Sequence, residues 1–376
     1  MNHLSSIQLN NFRNLAKQEI ELCNSTNVFI GANGSGKTNL LESISLLEPG
    51  RGFKKKSLET LSEFKNNNPW IVYTKYNQNN NVTGISITFD KTSNGLIKKR
   101  ILIDGNTTKE TLEKNYGLKV VWFLPEMERL FIGSPSIRRN FVDRISYSFD
   151  SSVLKNISLY KKLIRERSLI LKQNNFDNAW IDTIEDKIAN LGYQIIISRK
   201  KTITILNQIF NEILNKKQNI NICKLSIYGT IEEKINEIID DNKSIAIFKD
   251  ELIKYREEDR IKGLCSIGPH RSDLEVIYLK NQVDASLCST GQQKEIILSI
   301  LLCQCYCLVK KFNISPIVLL DEVCSHLDDN TRSILLSLTG WLNIQVLMTG
   351  TDKNLFSFLS TKSKFFVINN GKVKNE

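Results

Sequence analysis

Residues 31–38 have the types and the spacing of a loop that binds nucleotide phosphates. The segment GANGSGKT fits the pattern G-x-x-x-x-G-K-[ST] without insertion or deletion. In such a loop the backbone amides and the N-terminus of the following helix surround the β-phosphate, and the lysine neutralises phosphate oxygens. The threonine hydroxyl binds Mg²⁺. The residues predicted to contact the nucleotide and its metal are Gly31, Ala32, Asn33, Gly34, Ser35, Gly36, Lys37 and Thr38.

The sequence on both sides of this loop predicts a strand before it and a helix after it. Residues 27–30 form a short apolar run, as in a buried strand, and Leu40, Leu41, Ile44 and Leu47 recur at helical spacing. The alternative is a glycine-rich turn that happens to end in Lys-Thr. The matched flanks favour the phosphate-binding loop.

A second group of residues suited to nucleotide chemistry lies far downstream. The apolar run 317–320 leads directly into Asp321 and Glu322, as in a strand that lies beside the phosphate loop and supplies an acid to Mg²⁺. Asp321 would hold the metal shell. Glu322 would orient or deprotonate the attacking water. The predicted catalytic residues are Lys37, Asp321 and Glu322, and the alternative for the two acids is a strand that ends in surface carboxylates.

The segment STGQQK at 289–294 decides between classes of nucleotide-binding protein. It resembles the S-x-G-Q signature of ABC-type ATPases, whose serine hydroxyl, glycine amide and helix N-terminus suit a γ-phosphate. In that superfamily the signature contacts the nucleotide held by the opposite subunit. The resemblance implies that Ser289, Gly291 and Gln292 bind ATP across a head-to-head dimer. It also implies a D-loop in CSHLDD at 324–329, with Asp328 near the dimer axis.

Net charge predicts an anionic partner in addition to the nucleotide. The 376 residues include 51 Lys and Arg against 40 Asp and Glu, which gives a formal charge of +11. A solvated basic surface is the alternative. Further basic residues at 98–100 lie in a strand-like segment. The residues predicted to contact DNA are Arg51, Lys54, Lys55, Lys56, Arg138 and Arg139.

Several patterns predict a soluble, cytoplasmic protein. No apolar run approaches the roughly 18 residues needed to cross a bilayer, and the first residues do not read as a signal peptide. The eight cysteines have no framework spacing, which suits a reducing compartment. Cys303, Cys305 and Cys307 lie on one predicted helix and are interpreted as small core residues rather than metal ligands.

The order of patterns along the chain predicts a discontinuous two-lobe organisation. Strand-like segments dominate before residue 125, long amphipathic helices follow, and strands return after residue 270. We therefore expect an α/β ATPase lobe with a mixed sheet, formed by residues 1–124 and 308–376. Residues 125–307 would form a mainly helical second lobe that carries the signature. Within it, two helices at about 150–217 would form a short antiparallel arm.

Taken together, the motifs resemble those of the RecF family, the DNA repair members of the SMC-like ABC-type ATPases. The resemblance covers essentially the whole chain, and the phosphate loop and signature are characteristic of the superfamily. The segments PSIRR at 135–139 and GPHR at 268–271 are characteristic of the family. Further matching segments are NFRNL at 11–15, GRGFK at 50–54 and FLPE at 123–126.

The resemblance implies a recombination mediator. An ATP-bound homodimer would clamp duplex DNA at the edge of a single-strand gap. There it would work with RecR, and indirectly with RecO, to help load RecA. ATP hydrolysis would be weak and would act as a release timer.

The chain departs from the family pattern at several positions. The second acid is Glu322 where paired Asp is frequent, and no histidine follows residues 345–348. Thr349 or Thr351 would then sense the γ-phosphate, and Glu126 is the candidate for the Q-loop. Slow hydrolysis is expected.

Three cationic residues keep two interpretations each. His270 is either a core histidine bonded to backbone or an organiser of the lobe junction. Arg13 and Arg271 are either nucleotide contacts or buried partners of acids, with ATP contact favoured for Arg13.

Two other classes of protein share some of these motifs. The ATP-driving subunit of an ABC transporter would carry a switch histidine and a Q-loop glutamine, which are not evident here. An ATPase-linked nuclease would need a separate carboxylate cluster for metal-dependent cleavage.

Overall fold

The computed structural model describes residues 2–62, 69–91, 97–108, 112, 116–173, 177–215, 223–324, 329–359 and 362–376. The chain divides into two compact units. The first comprises Met1–Glu128 and Ile297–Glu376, and the second comprises Arg129–Ile296. The sequence pattern placed these boundaries at 124/125 and 307/308.

The first unit consists of two sheets and a few helices. Its strands are β1 (His3–Phe12), β2 (Leu15–Glu21), β3 (Thr26–Ile30), β4 (Ile71–Gln78), β5 (Asn81–Lys91), β6 (Ile97–Ile103), β7 (Asn106–Thr108), β8 (Val120–Phe123), β12 (Ile317–Leu320), β13 (Val346–Gly350), β14 (Lys364–Asn369) and β15 (Lys372–Asn375). Its helices are α1 (Lys37–Ser45) and α9 (Asp329–Leu336), with α8 (Thr290–Lys311) beginning in the second unit. Short 3₁₀ turns lie at Leu58–Leu61, Pro125–Arg129 and Lys353–Phe356, and a π-helical turn at Ser337–Trp341.

The nucleotide motifs lie on a sheet with the order β15-β14-β3-β13-β12-β8. All neighbours are parallel except β14 and β15. Every residue of β3, β12 and β13 is buried, as expected for a parallel sheet that is covered on both faces. The strand that carries the acids, β12, does not pair with β3, because β13 pairs with both and separates them, but Asp321 still reaches Thr38 at the end of the phosphate loop. Pairing of β13 with β3 and with β12 brings residues 31, 321 and 349 to one edge of the sheet.

The other sheet of the first unit is antiparallel, with the order β2-β1-β4-β5-β6-β7. Its strands alternate buried and exposed residues, so one face packs on a core. Trp70 and Phe12 are fully buried there, and their rings meet edge to face at 5.6 Å. On the parallel sheet, Phe29 of β3 stacks on Phe366 of β14 at 4.9 Å. These aromatic contacts fix β1 and β3, the two strands whose ends approach the phosphate loop.

The second unit is mainly helical and carries a small antiparallel sheet with the order β11-β10-β9. Its elements are α2 (Pro135–Phe149), α3 (Val153–Leu171), α4 (Asn178–Asn215), β9 (Cys223–Tyr228), α5 (Thr230–Lys234), α6 (Asp241–Lys254), α7 (Arg256–Lys262), β10 (Asp273–Tyr278), β11 (Val283–Asp284) and a 3₁₀ turn at Ala285–Leu287. In the described part of the chain, no helix is both long and apolar enough to cross a bilayer.

The helices α3 and α4 are antiparallel neighbours. The side chain of Asn156 donates to Gln194 at 3.0 Å, while Arg167 further along α3 pairs with Glu185 at the earlier end of α4. The pair is not isolated, because α6 and β9 also pack against α4. Phe248 of α6 is fully buried in the same apolar cluster.

A buried arginine holds four helices of the second unit together. Arg167 of α3 is fully buried and donates to Glu185 of α4 at 2.8 Å, to Asp259 of α7 at 2.5 Å and to the carbonyl of Leu252 in α6 at 2.8 Å. Arg256 pairs with the same Glu185 carboxylate. Since both acids are buried, loss of Arg167 would leave Asp259 without its cationic partner in the core and Glu185 with Arg256 alone.

Candidate functional site

The phosphate loop follows β3 directly and ends at the first residue of α1. Gly36 precedes α1 with φ 119°, a conformation that L side chains rarely adopt. A Cβ on Gly31 would lie 2.3 Å from the carbonyl oxygen of Ile368 in β14, so no side chain fits there. The predicted order of strand, loop and helix is therefore confirmed.

Lys37 is buried at the centre of this loop. Its Nζ donates to the carbonyls of Gly31 at 2.8 Å and Ala32 at 3.1 Å, and lies 3.8 Å from a carboxylate oxygen of Glu322. The ammonium is thus held over the loop that the motif assigns to the phosphates.

Thr38 and Asp321 meet across 283 residues of chain. The hydroxyl of Thr38 donates to Asp321 at 3.1 Å, and the hydroxyl of Thr349 in β13 donates to the same carboxylate oxygen at 2.7 Å. Asp321 is 4 % exposed, so its orientation is set by these two hydroxyls. The arrangement places a carboxylate and a hydroxyl oxygen side by side, the hard ligands that Mg²⁺ takes.

Glu322 occupies a strained backbone position beside Asp321. Its φ is +49°, which is uncommon for a residue other than glycine, and its N–H donates to the hydroxyl of Thr349 at 2.9 Å. The side chain is 41 % exposed. Thr349 therefore orients both acids, and its one hydroxyl hydrogen already goes to Asp321. Of the two predicted sensors, Thr351 is exposed and has a hydroxyl with no hydrogen-bond partner in the described residues.

A buried hydroxyl in the loop supports the fit of a nucleotide. Ser35 is 7 % exposed, and its Oγ has no hydrogen-bond partner among the residues that the structure describes. Burial of a hydroxyl without a partner costs on the order of 1–3 kcal/mol. An oxygen-rich phosphate would satisfy it, and Thr38 with Asp321 would hold the metal that shields phosphate charge. The residues present thus fit ATP with Mg²⁺.

Two turns brace the loop from outside. Asn14, in the turn between β1 and β2, donates to the carbonyl of Ser35 at 3.1 Å and accepts from the side chain of Asn39 in α1 at 2.8 Å. The N–H of Gly371, between β14 and β15, donates to the same Ser35 carbonyl at 3.0 Å. Because these donors hold that carbonyl on one side, the N–H of Gly36 in the same planar peptide points to the other side. We call Asn14 and Gly371 the outer brace.

Arg13 bonds to a buried acid of α1. Its Nη2 donates to Glu42 Oε1 at 2.9 Å, and its Nε lies 2.5 Å from Oε2 of the same carboxylate, which is fully buried. Lys54 Nζ lies 3.8 Å from Glu42 and donates to Asn39 at 3.3 Å. Of the two interpretations of Arg13, the structure shows the partnership with an acid, and contact with ATP stays a prediction.

The signature segment forms the N-terminus of α8. Ser289 N donates to the side chain of Gln292 at 3.0 Å, and Gln292 N donates to Ser289 Oγ at 3.3 Å. This reciprocal pair is a capping box. Ser289 and Gly291 are exposed, and a Cβ on Gly291 would meet no atom within 4 Å. Asp328 lies outside the described residues.

The basic residues predicted to contact DNA differ in their exposure and in their bonding partners. Arg51, Lys55 and Lys56 are exposed. Arg138 is paired with Asp273 through two hydrogen bonds of 2.8 and 2.7 Å and donates to two backbone carbonyls. Lys99, in the other basic segment, donates to the carbonyls of Leu46 and Glu48 just after α1, and burial lowers its pKa to about 8.

The segment 268–273, which begins with GPHR, is linked by hydrogen bonds to several other elements of the second unit. His270 contacts the carbonyl of Cys265 at 2.9 Å and the hydroxyl of Tyr160 at 3.0 Å. Burial lowers the pKa of His270 to about 4, so the ring is neutral at pH 7. Arg199 donates to the carbonyl of Pro269 at 2.6 Å. These contacts fit the interpretation of His270 as a core histidine.

Two further predictions concern the Q-loop candidate and the three cysteines of α8. Glu126, the Q-loop candidate, is exposed in the turn Pro125–Arg129. Cys303, Cys305 and Cys307 are fully buried in α8, and burial raises the pKa of the Cys305 thiol. They are small core residues, as predicted.

Sequence reasoning missed four residues that support the loop. They are Asn14, Asn39, Glu42 and Gly371. Only Gly371 carried a local signal, because Asn370-Gly371 is a typical hairpin turn. No pattern indicated that this turn would reach a loop more than 330 residues earlier.

Comparison with known proteins places this geometry in a family. Residues 3–327 match the family described as AAA ATPase domain. The DNA replication and repair protein RecF of Rickettsia prowazekii (strain Madrid E) is 36 % identical over 350 residues, which are 93 % of this chain and 94 % of that one. RecF of Mesorhizobium japonicum is 33 % identical over 377 residues, covering 99 % of this chain and 97 % of that one.

Solved structures give the same result. A structure of the recombination mediator protein RecF-ATPrS in the RecFOR pathway matches with a TM-score of 0.84 at 28 % identity, over 100 % of this chain and 98 % of that chain. An Smc head bound to the C-terminal winged-helix domain of ScpA, at 15 % identity and a TM-score of 0.55 over 100 % of this chain and 97 % of that chain, shares the fold. The chain belongs to the RecF family of DNA replication and repair proteins and contains an ATPase domain.

Proposed function

We propose that this protein is an ATP-dependent recombination mediator whose ATP-bound homodimer clamps duplex DNA at single-strand gaps. There it works with RecR, and indirectly with RecO, to help load RecA. The observation that carries the proposal is the meeting of Lys37 with Glu322 and of Thr38 with Asp321 at one edge of the parallel sheet. Such a site senses whether a γ-phosphate and its metal are present.

The exposed signature supports dimerisation through ATP. Ser289 Oγ accepts from Gln292 N within the capping box, which leaves its own hydrogen to donate to a phosphate oxygen. Gly291 presents backbone without a side chain beside it. A phosphate of a second copy's nucleotide would therefore bind at the N-terminus of α8 without breaking the cap. Two such contacts couple ATP occupancy to dimer formation.

The proposed hydrolysis is weak. Glu322 is half-exposed rather than enclosed, and a threonine in place of a sensor histidine donates a hydrogen bond but does not titrate. Hydrolysis at such a rate serves as a timer for release of the clamp. Bound Mg²⁺ would neutralise charge on the transferred phosphoryl group.

Fluorescence anisotropy with a gapped duplex tests the proposal. We expect tight binding with ATP, weak binding with ADP and a loss of affinity as salt rises. Lys37→Ala should abolish the difference between the nucleotides. Equal binding in ATP and ADP by the wild-type protein would contradict the clamp.

Charge reversal at Lys55 and Lys56 tests where duplex DNA binds. Since both side chains are exposed, Lys55→Glu with Lys56→Glu should reduce the slope of log K against log salt by about 0.9 for each lost phosphate contact. Lys155→Glu with Lys161→Glu is the matched control, because these lysines are exposed on α3. Equal slopes in the two double variants would place the duplex elsewhere.

The alternative of an ABC transporter subunit has less support. Membership of the RecF family accounts for the segments at 133–143 and 268–274, which a transporter subunit would not require. No observation specifically favours a second function.

A further inference from the structure

Four arginines surround the segment 268–273, but only two of them are paired with acids. Arg138 pairs with Asp273, and Arg199 pairs with Asp143 through hydrogen bonds of 2.7 and 3.0 Å. Each of these carboxylates receives two hydrogen bonds from its arginine, so each is already engaged. The remaining two arginines are Arg139 of α2 and Arg271 of the loop before β10.

Arg139 and Arg271 are held by backbone carbonyls. Nη1 of Arg139 donates to the carbonyl of Ser272 at 2.6 Å, and Nε and Nη2 of Arg271 donate to the carbonyl of Cys265 at 3.0 and 2.9 Å. Among the described residues, neither guanidinium lies within ion-pair distance of a carboxylate. Nε and Nη2 of Arg139 and Nη1 of Arg271 likewise have no partner there. A carbonyl fixes the orientation of a guanidinium but leaves its charge uncompensated.

The pKa values of Arg139 and His270 reflect the positive charge of these arginines. The pKa of Arg139 is lowered by burial, then by the charge of Arg199 and less by that of Arg271, while the more distant carboxylates of Asp273 and Asp143 oppose this in part. Burial is also the main cause of the low pKa of His270, and Arg271 and Arg139 lower it further. The excess is accessible, because Arg271 is exposed and Arg139 is partly exposed.

We propose that Arg139 and Arg271 form a binding site for a phosphate of the DNA backbone. Two guanidinium groups with free N–H donors suit phosphate, which accepts several charge-assisted hydrogen bonds at once. The site rests on the proposed DNA-binding function, and it adds Arg271 to the predicted contact Arg139. Arg138, although next in sequence to Arg139, is a structural residue because its guanidinium is committed to Asp273.

Salt-dependent DNA binding tests the site. With ATP and a gapped duplex, Arg139→Gln combined with Arg271→Gln should reduce the slope of log K against log salt by up to about 1.8, or about 0.9 for each contact. Arg260→Gln combined with Lys262→Gln is the charge-matched control, since both side chains are exposed on α7 and pair with Glu257 and Glu258. An unchanged slope in the double variant, with a wild-type far-ultraviolet spectrum, would overturn the proposal while DNA binding itself stands.

His270 provides a readout that does not depend on DNA affinity. The chain has three histidines, so the ring of His270 can be assigned in an NMR titration with His270→Gln. A phosphate beside Arg139 and Arg271 adds negative charge, which should raise the pKa of His270 from about 4. The double variant should remove this response.

Two probes separate the sources of phosphate. A short duplex that raises the His270 pKa more than the same concentration of inorganic phosphate supports the DNA backbone as ligand. An equal response to both would assign the site to free phosphate and overturn the DNA proposal. If neither probe shifts His270, there is no phosphate site. If the wild-type protein binds no gapped duplex with ATP, the proposed function fails, and inorganic phosphate still tests the cluster.

Discussion

Thr349 is the residue whose hydroxyl connects the two acids of the nucleotide site. It donates to Asp321 and accepts from the N–H of Glu322. Thr349→Val keeps the shape but removes both bonds and leaves a backbone N–H without its acceptor. We expect about a 10–100-fold fall in Mg²⁺-dependent ATP hydrolysis, as for other residues that orient metal ligands. Steady-state hydrolysis across a Mg²⁺ series measures it.

Replacement of Thr349 by serine distinguishes a loss of positioning of the two acids from a loss of folding. Thr349→Ser keeps the hydroxyl and should retain most of the hydrolysis, and nucleotide binding without Mg²⁺ should be similar in all three proteins. Wild-type hydrolysis by Thr349→Val would show that the acids hold their positions without it.

The neutral state of His270 makes stability depend on pH. Its folded-state pKa of about 4 lies below the roughly 6.5 of an unfolded chain. Above pH 6.5 both states are neutral and His270 has no effect. As pH falls from 6.5 towards 4, only the unfolded chain gains the proton, so the free energy of unfolding should fall by on the order of 2 kcal/mol at about pH 5.

Urea unfolding at about pH 7 and pH 5 measures this effect. His270→Gln is the comparison, because its amide keeps a donor for the carbonyl of Cys265 and does not titrate. The groups around the ring are Tyr160, Arg139, Arg271 and Asp259. Equal loss of stability in the two proteins would mean that His270 titrates normally in the folded state.

At the scale of elements, the C-terminal hairpin of β14 and β15 supports a loop at the opposite end of the sequence. Gly371 has φ +74°, and a Cβ there would lie 2.0 Å from the carbonyl oxygen of Asn14. Gly371→Ala should therefore displace the outer brace and weaken ATP binding by about tenfold, which costs about 1.4 kcal/mol. Titration with a fluorescent ATP analogue measures the affinity.

Gly105 is a matched control for backbone strain. It lies in the turn between β6 and β7 with φ +84°, and a Cβ there would meet no atom within 4 Å. Gly105→Ala introduces similar strain without a clash, so it should lower stability but leave ATP affinity unchanged. Equal loss of ATP affinity in both variants would mean that general destabilisation, not the brace, controls the loop.

Elements defined by local patterns could be predicted from the sequence. The strand, loop and helix at residues 26–45 depend on apolar runs and glycines that are adjacent in sequence, and the acids after β12 follow from a buried run of four residues. The placement of β13 between β3 and β12 was missed, because order in a sheet depends on pairing of distant segments. For the same reason the contacts of Asn14 and Gly371 with the phosphate loop were not predicted, because a hydrogen bond to a distant carbonyl leaves no periodic pattern in the sequence.

At the scale of the whole molecule, the sequence predicts two phosphate-binding elements of different kinds, the loop at 31–38 and the signature at 289–292. Ser35, Gly36 and Lys37 of the loop are buried while Ala32, Asn33 and Gly34 are exposed, and in the signature Ser289 and Gly291 are exposed. The loop contains a buried lysine and the Thr38–Asp321 pair, whereas the N-terminus of α8 offers a serine hydrogen and backbone amides, which suit a phosphate presented by another copy. This difference between the two elements is the physical reason to expect ATP to control assembly.

Glu322→Gln tests this control of assembly by ATP. The amide keeps the size of the side chain but is not a base, so ATP should remain bound and dimers should accumulate. Light scattering with saturating ATP and with ADP measures the mass. A monomer with ATP would contradict the dimer.

Gly291→Asp in the Glu322→Gln background tests whether the signature mediates dimerisation, without disturbing the fold of α8. A Cβ at Gly291 meets no atom within 4 Å, and an acid in the first turn of α8 is favoured by the helix dipole, so the variant should fold at least as well. The same negative charge would repel a γ-phosphate presented by a second copy. We therefore expect the double variant to bind ATP and stay monomeric, whereas a dimer would show that the signature is not the surface through which ATP joins two chains.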